Sequence, residues 1–113
     1  MAGPLSIRIP AEAAECTIRI GAEHPAFPGH FPGTPVVPGV LLLDRIVEAC
    51  ENWLGLALRI DAMPQVKFLA PLLPDETATA VLQRESDDSV AFRLLRGRQL
   101  LASGILKISV ARA

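Results

Sequence analysis

Apolar and polar residues alternate in Leu5-Ser-Ile-Arg-Ile9 and again in Cys16-Thr-Ile-Arg-Ile20, the period of a half-buried strand, with Pro10-Ala-Glu as a turn between the two. Prolines 25, 28, 32, 35 and 38 then follow at a spacing near three, which suits an extended path and excludes helix until the last of them. From Gly39 the period lengthens. Asp44, Arg45, Glu48, Glu51 and Asn52 recur at helical spacing and leave an apolar face of Val40, Leu43, Ile46, Val47, Cys50 and Leu54. This predicts a mostly buried helix, with Pro38 where proline is welcome at its start and an end near Gly55.

Strand character returns at residues 56–63 and 65–69, interrupted by Pro64 as in a bent edge strand. Pro71-Leu-Leu-Pro-Asp-Glu reads as a turn, residues 77–85 as a strand, Ser86-Asp-Asp as a turn and residues 90–95 as a strand. Arg96-Gly-Arg-Gln makes a tight hairpin connection into a last strand over 100–110, with Leu100, Ala102, Leu106, Ile108 and Val110 in phase. Gly104, inside that strand, is expected to let the helix approach closely. One helix with strands on both sides of it in sequence, most of them consecutive, predicts an α+β fold: a curved antiparallel sheet wrapped around one central helix.

No linker, repeat or charge run divides the 113 residues, so they form a single domain, 1–113. Half of them are hydrophobic, more than so small a surface hides easily, and part of that apolar area is expected to be buried against another subunit. The 11 basic and 12 acidic side chains leave a formal charge of -1, so no global field calls for nucleic acid or an anionic membrane. Met-Ala-Gly-Pro-Leu-Ser lacks the basic start of an export signal, and no apolar run is long enough to span a bilayer, which reads as a cytoplasmic chain. Cys16 and Cys50 sit in unlike contexts and read as reduced thiols; neither has a spacing that suggests zinc.

The chemistry concentrates in one stretch. Residues 24–44 hold five of the ten prolines, three of the eight glycines and both histidines. No Ser, Thr, Asp or Asn stands just before the helix, so the N–H groups of Gly39, Val40 and Leu41 lack a side-chain cap and favour an anion or a developing negative oxygen. With His30 upstream and Asp44 further along the helix, a general base, a general acid and an oxyanion hole lie in one short stretch.

His30-Phe-Pro-Gly-Thr-Pro-Val-Val-Pro-Gly-Val-Leu-Leu-Leu-Asp44 closely resembles the signature of the hot-dog-fold 3-hydroxyacyl-(acyl carrier protein) dehydratases, and Val66-Lys-Phe-Leu-Ala-Pro-Leu-Leu-Pro-Asp75 resembles the strand and turn after their helix. The resemblance implies a hydro-lyase that turns a carrier-bound (3R)-3-hydroxyacyl thioester into the trans-2-enoyl thioester, with no metal or organic cofactor. It also implies a homodimer or hot-dog heterodimer, or a higher oligomer, in which His30 of one chain meets Asp44 of the other. Gly39 would offer its N–H to the thioester carbonyl.

The chain departs from that signature at several positions. Asp44 stands where most single-function members carry Glu and resembles the subfamily that also isomerises the double bond; its carboxyl sits about 1.5 Å closer to the backbone than a glutamate's. Glu48 replaces an amide and would disfavour ionisation of Asp44, whereas Arg45, in place of a small residue, would favour it. Asp75 stands where the turn usually has Gly. These changes point to a specialised pathway enzyme, such as one building polyene or polyketide chains, or to one half of a heterodimer.

Blander readings compete. His24 reads as a surface or turn residue, and Glu48 and Glu51 as a solvated or interface face of the helix. Lys67, Arg93, Arg96 and Arg98 are either solvated or a basic rim for an acidic carrier protein. A Pro-rich ligand for an SH3-like partner is disfavoured by the apolar helix that follows directly. Two further functions stay open: a hot-dog acyl thioesterase, and a non-catalytic subunit of a hot-dog heterodimer.

Overall fold

The computed structural model describes residues 13–25, 27 and 36–111. The expected strand over residues 5–9 and its turn, and His30, lie outside the described residues. In chain order the elements are β1 (Ala13–Arg19), α1 (Gly39–Leu54), β2 (Leu58–Ala62), β3 (Lys67–Phe68), β4 (Thr77–Ser86), β5 (Ser89–Arg96) and β6 (Gln99–Val110). The six strands form one antiparallel sheet in the order β1-β4-β5-β6-β2, with β3 also paired to β6.

Strict alternation makes one face of this sheet apolar. Ala78, Ala80 and Leu82 of β4, Val90, Phe92 and Leu94 of β5, and Ala102, Leu106 and Ile108 of β6 are all buried, and the register sets Leu82 opposite Phe92 and Ala80 opposite Leu94. Against that face the helix lays Leu42, Ile46 and Cys50, one residue per turn and at most 3% exposed. Burial of Leu42 and Ile46 is worth roughly 1.5–3 kcal/mol each, and such apolar burial is the main force closing sheet on helix.

Several sequence expectations shift here. Val40, assigned to the apolar face, is 69% exposed, because the buried stripe runs through Leu42, Ile46 and Cys50 and turns Val40 away from the sheet. Leu101, out of phase with its neighbours, is fully buried because Leu95 pairs with Leu100 where Leu94 pairs with Ala102, leaving Leu101 as the extra residue of a bulge. Val110, expected in phase with the core, is 55% exposed at the end of β6. Gly104 does not make room for the helix: a β-carbon there would meet Val66 Cγ2 at 2.8 Å and Phe92 Cε2 at 2.9 Å.

The helix ends where expected. Gly55 takes the left-handed conformation at φ 71, and its N–H and that of Leu56 both donate to Glu51 O. Glu51 is not simply solvated, since its Oε2 accepts the N–H of Leu58 at 2.8 Å and so joins the helix end to the start of β2. Gly97, at φ 62, turns the β5–β6 hairpin.

Candidate active site

The start of α1 is bare, as its sequence implies. Pro38 precedes it with φ -60 and ψ 141, offers no side-chain cap, and the first turn holds no acid. The N–H of Leu41 reaches Pro38 O at 3.0 Å, so it is not one of the free donors expected from sequence. Gly39 and Val40 keep theirs: among the described residues neither N–H meets an acceptor. Two convergent donors at the positive end of a sixteen-residue helix attract a partial negative charge on oxygen.

Those donors sit beside an apolar cleft. Val37, Gly39, Leu42, Phe68, Leu69, Ala70 and Pro71 line about 350 Å³ of space. Val37 is held there by donating its N–H to Leu72 O at 2.8 Å, and Leu72 is fully buried. Phe68 forms one wall so close to the helix start that a β-carbon at Gly39 would lie 2.9 Å from its Cζ, which gives Gly39 a steric reason to be glycine. Neither Phe68 nor Leu69 stands out in the sequence; the only sign is two large apolar residues in succession, of which Phe68 ends β3 and Leu69 follows it. A larger groove, about 420 Å³, runs between β1 and the Arg45, Glu48, Asn52 and Trp53 side of the helix, but it reaches none of Gly39, Val40 or Asp44.

Asp44 is exposed and shares an edge of α1 with Val40 and Glu48, four residues to either side. Arg45, expected to bear on Asp44, instead faces Glu48 across 3.9 Å, and Asp44 has no ion pair among the described residues. Val40, Phe68, Leu69 and Leu73 are all large, apolar and exposed around this end of the helix. Among the described residues no cluster of His, Cys, Asp and Glu has the arrangement of a metal site, and no helix is long and apolar enough to cross a membrane.

The other sequence candidates separate. His24 lies in a turn, half-buried, with its ring edge-on to Phe27 at 6.4 Å between centroids. Lys67 and Arg93 each pair with Ser103, from β3 and β5, and both are exposed on one face of the sheet, while Arg98 lies in the hairpin turn. Arg96 is not simply solvated: it is tied into the turn over residues 71–76. It donates to Glu76 Oε1 at 2.6 Å, to Pro71 O at 3.1 Å and to Gln99 Oε1 at 2.6 Å. Glu76 also accepts the Leu73 N–H, and that bond, more than the Arg96 guanidinium, holds its carboxyl below the usual glutamate range. Asp75 adopts a left-handed φ of 68, so the position that resembles a glycine turn keeps the glycine conformation with an aspartate in it. Cys50 is fully buried and its thiol is pushed up to about 12, by desolvation first and then by Cys16 and Glu51; both cysteines are free.

Comparison with known proteins identifies the family. Residues 6–105 match the family model of the ApeI-like proteins, described as ApeI dehydratase. The chain is 30% identical over 115 residues to the 3-hydroxyacyl-[acyl-carrier-protein] dehydratase FabZ of Levilactobacillus brevis, covering 92% of this chain and 78% of that one. Among solved structures it superposes on the dehydratase heterocomplex ApeI:P from Xenorhabdus doucetiae with a TM-score of 0.76 and 26% identity, over 87% of this chain and 88% of that one. A probable thioesterase from Bartonella henselae, at 17% identity and a TM-score of 0.70 over 89% and 91% of the two chains, shares the fold.

Proposed function

Because this chain belongs to the ApeI-like dehydratase family, a group of hot-dog hydro-lyases, we propose that it removes water from a (3R)-3-hydroxyacyl thioester carried on an acyl carrier protein. The observation that carries the reading is the bare start of α1, where the N–H groups of Gly39 and Val40 open beside an apolar cleft of about 350 Å³. The thioester oxygen accepts those two N–H groups, which makes the C2 proton more acidic. His30 takes that proton, negative charge moves onto the oxygen held by the helix start, and the C3–O bond breaks as the hydroxyl gains a proton and leaves as water. Asp44, from a second chain, supplies or orients that proton. The trans-2-enoyl thioester remains, with no change of redox state and no co-reactant.

A second hot-dog chain completes the site, and the exposed Val40, Phe68, Leu69 and Leu73 are the surface it covers. It is either another copy or a different hot-dog chain; the similar ApeI:P dehydratase is a heterocomplex. The free thiols of Cys16 and Cys50 support a reducing, cytoplasmic setting. The acyl chains served are those of fatty acid synthesis or of a specialised polyene or polyketide route.

The test follows enoyl absorbance from a 3-hydroxyacyl thioester on carrier protein. His30→Ala and Asp44→Asn are each expected to lose at least a hundredfold in turnover. Mixing the two variants restores activity that neither has alone if the sites are shared between copies of this chain. Undiminished turnover in both variants defeats the mechanism. Release of free thiol in place of the enoyl product identifies a thioesterase, and activity only after adding a second hot-dog chain identifies a heterodimer subunit.

A further inference from the structure

The outer face of the sheet, away from the helix, carries a row of three side chains in direct register. Lys67 of β3 and Arg93 of β5 both stand opposite Ser103 of β6, one on each side of it. Neighbouring strands lie about 4.8 Å apart, so the two cations start about 10 Å from each other and each can reach across half that distance. Around them Gln65, Ala91 and Ile105 help to border an open depression of about 370 Å³. The charge here is uncompensated. Arg19, Arg45, Arg59 and Arg96 each meet a carboxylate, whereas among the described residues the side chains of Lys67, Ser103 and Arg93 make no hydrogen bond or ion pair. Their neighbours on this face, Val81 opposite Arg93 and Ala91 and Ile105 along the strands, bring no acid to them.

We infer that Lys67, Ser103 and Arg93 form a binding site for a phosphate group, and that its occupant is the phosphate at the far end of the carrier's pantetheine arm. The inference rests on the carrier-bound thioester of the proposed function. The chemistry of the row fits phosphate: an ammonium, a guanidinium and a hydroxyl offer donors from three directions, which the several oxygens of one phosphate take up together. The place of the row fits the pantetheine arm. Strand alternation puts Lys67 on the outer face and the next residue, Phe68, on the helix side, where its ring walls the cleft beside Gly39. β3 is two residues long and pairs only with β6, so it forms a short edge that a flexible chain can cross from one face to the other. An extended pantetheine arm spans on the order of 15 Å between its phosphate and its sulfur, enough to pass round that edge from the depression to the cleft.

The test compares three thioesters of one 3-hydroxyacyl group: on carrier protein, on free phosphopantetheine, and on pantetheine, which lacks the phosphate. Each is assayed with the full chain and any required partner chain. In the double variant Lys67→Gln with Arg93→Gln, KM is expected to rise about tenfold for the two phosphate-bearing substrates, with kcat kept and KM for the pantetheine thioester unchanged. The rise is expected to shrink as salt is added, because both cations are exposed. Lys107→Gln removes an exposed charge from β6 outside the row and is expected to leave all three substrates unaffected. An equal rise with the pantetheine thioester, a rise confined to the carrier protein, an equal effect of Lys107→Gln, or no rise at all overturns the inference. Calorimetric binding of phosphopantetheine against pantetheine makes the test independent of turnover: wild type is expected to bind the phosphorylated compound more tightly, and the double variant to bind the two alike. A protein with that preference but no enoyl product defeats the proposed reaction and keeps the phosphate site, whereas an active dehydratase without the preference loses only the site.

Discussion

Phe68 lies across the start of the helix, its Cζ 2.9 Å from where a β-carbon of Gly39 would be. The two residues are far apart in sequence, yet together they form the wall and the donor of the cleft. Phe68 is 51% exposed in the single chain, so its ring has room to swing aside.

That freedom decides what Gly39→Ala does. In the single chain the methyl group displaces this exposed ring at little cost to the fold. Stability is expected to change little while kcat/KM falls about tenfold or more, because the ring no longer walls the cleft. In a Phe68→Leu background the same substitution is expected to cost much less, and a double-mutant cycle with no coupling would show that the contact has no functional role.

Gly104→Ala behaves oppositely. Its β-carbon would meet Val66 Cγ2 at 2.8 Å, Phe92 Cε2 at 2.9 Å and the Val66 backbone at 3.0 Å, and Phe92 is only 1% exposed. No neighbour can yield freely, so overpacking outweighs the strand's preference for alanine and costs about 1–3 kcal/mol. Urea unfolding of the variant with a midpoint at or above wild type would refute this.

The Glu76 carboxyl, lowered by the Leu73 N–H and by Arg96, links stability to acid. A carboxyl lowered in the folded state stabilises it above the ordinary glutamate range, and that contribution disappears as pH falls through the folded value. Glu76→Gln keeps the shape and removes the charge. Its deficit against wild type is therefore expected to be visible at neutral pH and to close as pH falls through and below the lowered folded value. A deficit that stays constant across that range would assign the effect to packing.

Cys50, raised to about 12, works in the other direction. The fold favours the protonated thiol, so its contribution is complete below the unfolded thiol value and is lost as pH rises beyond it. A thiol reagent is expected to leave Cys50 unmodified in native Cys16→Ser protein and to modify it fully in denaturant, where the thiol is exposed and ionises normally. Rapid native labelling would contradict the burial.

Much of this molecule is legible without coordinates because its signals are local. The helix from Gly39 to Leu54, its bare start, and the β4, β5 and β6 run follow from period, proline and glycine, since each depends on residues a few positions apart. The motif residues Asp44 and Gly39 were singled out for the same reason, as parts of one contiguous stretch.

Tertiary contacts decided the rest. One extra residue in a bulge buried Leu101 against the alternation, and a helix rotated to bury Leu42, Ile46 and Cys50 left Val40 outside. The ring of Phe68 on Gly39, the Arg96 side chain in the turn at 71–76, and the hydrogen bonds of Asp75 with Arg19 and Ala22 join positions about 20 or more residues apart. Such pairs leave no periodic trace, because burial and hydrogen-bond partners across a sheet are set by register and by the path of the whole chain. The sequence determined which groups the site has to work with; only the folded chain determined which of them touch.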